Sequence, residues 1–136
     1  MSPNERTLKE HISGNASPTE RTMALLRSLG YTVEKVEYNL RWSKKTTRDF
    51  CGFADILAFR PFTRPGVLAV QATTAAHLVE RMNKINAEPR AHRWLAAKNR
   101  IWVIGWALMG PAKSRKTWTP TVRELSASGW ADVEPV

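Results

Sequence analysis

Two apolar stretches of this chain each carry a polar residue that a buried strand does not ordinarily hold. In Gly52–Phe59 (GFADILAF) it is Asp55. In Gly66–Thr73 (GVLAVQAT) it is Gln71, with Thr73 two positions further on. Burying a carboxylate is costly unless it is paired or holds a cation. Asp55 beside the amide oxygen of Gln71 could ligate a hard divalent ion. Equally, Asp55 could accept backbone N–H bonds, or pair with Arg48 or an arginine on a helix. Folding the chain symmetrically about Thr63, in the connecting loop, sets Asp55 opposite Gln71. Opposed residues of an antiparallel pair share a face, and the two-residue period adds Thr73 to it. The expectation is that Asp55, Gln71 and Thr73 converge; a shift of register by one residue would break this.

Cations lie close by in sequence. His77, Arg81 and Lys84 recur at i, i+4 and i+7 just after the second stretch, which places them in one stripe of a helix that starts beside the convergence point. The competing reading is a solvated face flanking the apolar positions Leu78, Met82 and Ile85. Lys45 and Arg48 precede the first stretch. Among the acids, Glu20 fits either a helix cap or a further ligand. Glu37 follows a break in strand periodicity that hides its direction, and Asp49 is expected to end a loop or pair with Arg48. His11, His77 and His92 have no metal-ligand spacing with Cys51 or with each other. The lone Cys51 excludes an intramolecular disulfide and a zinc cluster and reads as a small buried residue. No G-x-S-x-G, P-loop or G-x-G-x-x-G sequence is present.

These residues need a scaffold. Ser17-Pro18-Thr19-Glu20 has the form of a helix start, with Ser17 as N-cap, Pro18 in the first turn and Glu20 closing a capping box. Met23, Leu26 and Leu29 give that helix an apolar face, and Gly30 stops it. A strand is expected over 31–38, with a bulge between Val33 and Val36. Phe53–Phe59 and Val67–Gln71 read as central strands joined by the hairpin-like RPFTRPG. Helices are expected over 74–87 and 89–98. A buried strand is expected over 101–108 and a last strand over 118–125, which Pro120 assigns to a sheet edge. The fold class is therefore α/β, a single sandwich around one mixed sheet in the order α-β-β-β-α-α-β-β. Residues 1–16 are expected to form a flexible arm, 17–126 the domain and 127–136 a frayed acidic tail.

The chain has 136 residues, the size of one domain, and 43% of them are hydrophobic. Its 21 Lys and Arg outnumber 12 Asp and Glu, a net charge of +9. Such a surplus points to an anionic partner, most commonly nucleic acid, although it also suits a merely soluble basic surface. Lys44, Lys45, Arg48, Lys113, Arg115 and Lys116 cluster in two loops beside Trp42 and Trp118. That composition suits phosphate contact with stacking on an exposed base; both tryptophans could equally cap the edge of the core. Trp94, Trp102 and Trp106 are expected in the core. The N-terminal residues have no apolar signal-peptide region, and the longest apolar run is too short to span a bilayer. A soluble, cytoplasmic protein without membrane contact is the expectation.

An apolar strand carrying Asp, a hairpin, and an apolar strand ending in polar-x-polar together resemble the core of the PD-(D/E)XK nuclease superfamily. More narrowly, RDFCGFADILAF…GVLAVQATT resembles the small phage-encoded nuclease proteins related to Holliday-junction resolvases. The resemblance covers about Ser17 to Leu125 and implies a metal-dependent DNA endonuclease that uses Mg²⁺ or Mn²⁺. It assigns Asp55 and Gln71 as metal ligands through their side chains and Ala72 through its carbonyl, with Glu20 where some members place a further acid. Thr73 stands where the family has its water-activating lysine, and that cation would have to come from Lys84, His77 or Arg81, with Lys45 and Arg48 as the other candidates. Gln71 for Glu and Thr73 for Lys depart from the family pattern and imply weaker metal binding. Two other readings follow from the departure: a DNA binder of the same fold without catalysis, and a protein-interaction module such as a phage factor blocking a host nucleic-acid enzyme. A homodimer is plausible by the same analogy.

Overall fold

A computed structural model describes residues 15–39, 47–62, 65–111 and 115–136. Trp42, Lys44, Lys45 and Lys113, and all of the expected arm but its last two residues, lie outside them.

Helix α1 (Pro18–Ser28) begins with the expected capping box: Glu20 N–H donates to Ser17 Oγ at 3.2 Å and Ser17 N–H to Glu20 Oε2 at 3.3 Å. It is followed by β1 (Thr32–Lys35), β2 (Tyr38–Asn39), β3 (Thr47–Arg48), β4 (Ile56–Phe59) and β5 (Leu68–Thr74). A 3-10 turn (Ala75–His77) leads into α2 (Leu78–Asn86) and α3 (Pro89–Ala96), then β6 (Arg100–Met109), β7 (Thr117–Ser126) and β8 (Gly129–Asp132). Six strands form one mixed sheet in the order β1-β4-β5-β6-β7-β8, while β2 and β3 make a separate two-stranded ribbon. Among the described residues only β5 and β6 pair in parallel, as expected of strands joined by a helical crossover.

The sheet is buried on both faces by alternate residues. Ile56, Leu68, Val70, Trp102, Ile104 and Trp106 pack with Leu25 and Leu26 of α1. Ala69, Ile101, Val103 and Leu125 pack with Leu78 and Ile85 of α2 and Ala91 of α3. The result is an α/β sandwich of three layers. By the period of two, Asp55, Gln71 and Thr73 belong to the face covered by α2 and α3. Trp102 and Trp106 are core residues, and Trp94 is partly buried against Phe50 and Phe53.

Several boundaries differ from expectation for local reasons. The strand expected over 31–38 is two strands. β1 stops at Lys35, Val36 N–H donates to Asp55 O at 2.8 Å, and Tyr38–Asn39 pairs with β3. The strand expected from Phe53 begins at Ile56, because residues 50–54 close a tight turn through Phe50 N–H to Ala54 O at 2.8 Å and Ala54 N–H to Phe50 O at 3.1 Å. β5 runs on to Thr74, its β-branched end residues pairing with Gly105 and Trp106 of β6, so the helix expected from residue 74 starts later. Gly105 allows a close approach there: a Cβ would lie 3.2 Å from Ala75 Cα, where the 3-10 turn crosses β6.

β7 is not the edge strand. β8 pairs with Arg123–Ser126, and Pro120 lies outside that paired stretch. The segment expected as a frayed tail thus contributes a strand. Trp130 packs against the core, Arg123 Nε donates to Asp132 Oδ1 at 2.8 Å, and Tyr31 Oη donates to Val136 O at 3.1 Å. No helix among the described residues is long and apolar enough to cross a membrane.

Candidate functional site

The β4–β5 pairing sets Ile56 opposite Val70, Leu57 opposite Ala69 and Ala58 opposite Leu68. This is the register obtained by folding the chain about Thr63. One step beyond the paired stretch, Asp55 N–H donates to Val70 O at 2.9 Å, and Asp55 meets Gln71. Gln71 Nε2 donates to Asp55 Oδ2 at 2.7 Å, and Ala72 N–H donates to the same oxygen at 3.0 Å. Asp55, Gln71 and Thr73 are 4%, 3% and 6% exposed, so all three are buried together.

A second hairpin brings another acid to Asp55. Phe50 and Ala54 form an isolated antiparallel bridge around a turn in which Cys51 and Gly52 have φ of 49° and 75°, the left-handed region where glycine is unstrained. Asp49 and Asp55 are the next opposed pair in that register, so they share a face, while Phe50 and Ala54 pack into the core. Glu37 follows the Val36 bond to the Asp55 carbonyl. Carboxylate oxygens of Glu37, Asp49 and Asp55 all lie within 4.8 Å of one another.

This crowding has an electrostatic signature. The Asp55 pKa is raised from 3.8 to about 8, chiefly because burial strips water from its carboxylate. The Ala72 N–H opposes the shift, while a hydrogen bond with Asp49 and the charges of Asp49 and Glu37 add to it. Two ion pairs partly offset the negative charge, Lys84 Nζ with Asp49 Oδ2 at 3.0 Å and Lys35 Nζ with Glu37 Oε1 at 3.4 Å. Gln71 Oε1 is buried with no hydrogen-bond donor.

These groups line a cleft of about 600 Å³ between the start of α1, the ends of β4 and β5, and α2. Arg48, His77, Arg81 and Lys84 line it too, so the basic stripe, His77 from the 3-10 turn with Arg81 and Lys84 from α2, borders the same cleft as the acids. His77 also pairs with Glu80 at 3.2 Å. Three carboxylates lie together, with the Gln71 amide bonded to one of them through Nε2; oxygen donors of this kind suit Mg²⁺ or Mn²⁺ rather than a thiolate- or imidazole-seeking metal. The orphaned Gln71 Oε1 is what fits the group best, since a cation is one of the few partners that would satisfy it there.

Other candidates fall elsewhere. Glu20 is exposed and held in the capping box, outside the acid cluster, whereas Pro18 and Thr19 beside it line the cleft. Arg115 and Lys116 are exposed on the β6–β7 connection and do not line the cleft. Because β5 and β6 run parallel, that connection projects from the same end of the sheet as Thr73. Trp118 packs on the core with the Arg21 guanidinium 3.7 Å over its ring, an edge-capping arrangement. Cys51 is half-buried in the turn beside Asp49.

Sequence reasoning about Asp49 gave a loop end or a pair with Arg48; its partner is instead Lys84. The signal that finds it is the symmetry of DFCGFAD about Gly52, the same construction that places Asp55 opposite Gln71. Glu37 had no comparable signal, because the chain leaves β1 one residue before it. Set against family models, curated proteins and solved structures, the chain matches none of them.

Proposed function

We propose that this chain is a DNA-binding protein of the PD-(D/E)XK nuclease type that hydrolyses phosphodiesters with the aid of Mg²⁺ or Mn²⁺. The observation that carries the reading is the gathering of Glu37, Asp49, Asp55 and Gln71 at one point of a cleft walled by Arg48, His77, Arg81 and Lys84. Those three carboxylates and Gln71 Oε1 would hold the ion. Bound there, it would supply charge stabilisation at the phosphoryl oxygens and a more acidic water.

The remaining work falls to the protein's own side chains. Arg48 and Arg81 would neutralise and orient the phosphodiester, bringing a salt-dependent affinity that is indifferent to sequence. Lys84 is the cation nearest the acids and would take the place that the buried Thr73 cannot fill, as a charge close to the attacked phosphate. Asp49 supports the reading from the other side, since it provides a second carboxylate where Gln71 replaces Glu.

The test is cleavage of supercoiled, linear and branched DNA by wild-type protein and Asp55→Asn, with Mg²⁺, Mn²⁺ or EDTA. Metal-dependent cleavage by the wild type alone is expected. A second reading, a DNA binder of the same fold without catalysis, is favoured by Gln71 and Thr73. It would replace the first if neither protein cuts any substrate while both bind DNA equally in EDTA. Absence of DNA binding at low salt would sink both and leave the protein-interaction reading.

A further inference from the structure

We propose that Lys84 and a divalent cation are alternative occupants of the Asp49 carboxylate: Lys84 neutralises the acid cluster when no ion is present, and the ion displaces it. This inference rests on the metal-dependent reading above and goes beyond it in making Lys84 the group that ion binding releases.

The asymmetry of the pair carries the argument. The Lys84 side chain is 44% exposed and that of Asp49 is 13% exposed, so the lysine is the solvated partner on a flexible stem. Asp49 is fixed by its hairpin, through the two backbone bonds between Phe50 and Ala54 and a third from Gly52 N–H to Asp49 O at 3.2 Å. Its carboxylate lies with those of Glu37 and Asp55 within 4.8 Å. Lys35 pairs with Glu37 at 3.4 Å, so Lys84 is the partner that Asp49 has among the described ion pairs.

Independent of the acids, the Gln71 side chain points to a ligand. It is 97% buried and held against Asp55 by its Nε2 bond, with its Oε1 buried and without a donor. Lys84 reaches Asp49 and leaves that oxygen unmatched; an ion among the three acids would take the Asp49 carboxylate, and rotation of the Gln71 amide, whose Nε2 now faces Asp55, would present Oε1 to it. Displaced from Asp49, the Lys84 ammonium stays in the cleft, where it meets a phosphate oxygen instead. Ion entry and readiness for an anionic substrate are thereby linked.

A double-mutant cycle read by Mn²⁺ binding, without DNA, tests this. Mn²⁺ affinity is measured calorimetrically for wild type, Lys84→Met, Asp49→Asn and the double variant, with Asp55→Asn to locate the site. Losing a competing pair of this exposure should tighten Mn²⁺ binding by roughly two- to fivefold in Lys84→Met. Asp49→Asn should weaken it. Lys84→Met should have a clearly smaller effect once Asp49 is Asn, because the competition for that carboxylate is then gone and only the ammonium's general repulsion of the ion remains. An equal effect of Lys84→Met in both backgrounds, or none in either, overturns the inference while leaving a metal site at Asp55 intact. Absence of Mn²⁺ binding by the wild type overturns both the inference and the metal-dependent function. Lys84 and Asp49 lie outside the core, and circular dichroism verifies that each variant is folded.

Discussion

Replacing Asp55 by Asn should stabilise this protein at neutral pH in the absence of metal, although it alters one of the most buried polar groups. In the unfolded chain this carboxyl releases its proton above 3.8, whereas in the folded chain it keeps it up to about 8. Between those values the unfolded state binds fewer protons, so stability falls as pH rises. The contribution is fully favourable below 3.8 and is lost progressively towards pH 8. Each tenfold change in proton affinity is worth about 1.4 kcal/mol, so the penalty at pH 7 is at most about 4 kcal/mol. Asn removes the penalty and keeps the contacts: its Oδ1 can accept from Gln71 Nε2 and Ala72 N–H, while its Nδ2 faces the Asp49 carboxylate. The assay is urea unfolding in EDTA at pH 4.5, 6 and 7.5, followed by tryptophan fluorescence. Asp55→Asn should gain about 2–4 kcal/mol over wild type between the first pH and the last. Adding Mg²⁺ at pH 7.5 should stabilise the wild type by mass action and leave the variant unchanged. Parallel stability curves for the two proteins, or a variant less stable at pH 7.5, would refute the electrostatic account of the cluster.

Three further outcomes follow from the packing and the charge. Ser17→Ala removes the acceptor for Glu20 N–H and should cost about 1 kcal/mol in urea unfolding. Thr22→Val leaves the buried Trp106 indole N–H without the 2.9 Å bond it donates to Thr22 Oγ1, at a cost of about 1–3 kcal/mol, with a shift in tryptophan emission. If Arg81 contacts one phosphate, Arg81→Gln should weaken binding to unrelated DNA sequences alike and lower the slope of log affinity against log salt by about 0.9; an unchanged slope would remove Arg81 from the interface.

The buried site was legible where the chain pairs locally. The Asp55–Gln71 register follows from loop symmetry and from two apolar runs that must present the same face. The capping box at Ser17–Glu20 is a contact between near neighbours. The stripe of His77, Arg81 and Lys84 kept its place on the cleft even though the helix starts late, since helical spacing survives a shift in boundary. What was not legible has two causes. Glu37 is placed by the bond of its neighbour Val36 to Asp55, a partner far along the chain, after β1 has ended, whereas the strand at Gly129–Asp132 pairs locally with β7 across a two-residue turn and is too short to show a period. Acidic residues near the C-terminus suggest solvent, but Asp132 finds Arg123 and Trp130 finds the core.

The parallel contact between β5 and β6 bears on how the chain assembles. Glu37, Asp49, Asp55 and Gln71 all come from the antiparallel segment that ends with β5, in which β4 and β5 pair across the short stretch 60–67. β6 joins β5 in parallel only after α2 and α3 have closed the longer crossover 75–99. Until it does, β5 presents an unpaired edge beside a cluster of like charges. A divalent ion in the refolding buffer should therefore favour the early antiparallel unit and accelerate folding, whereas a metal-independent folding rate would place cluster formation after the crossover.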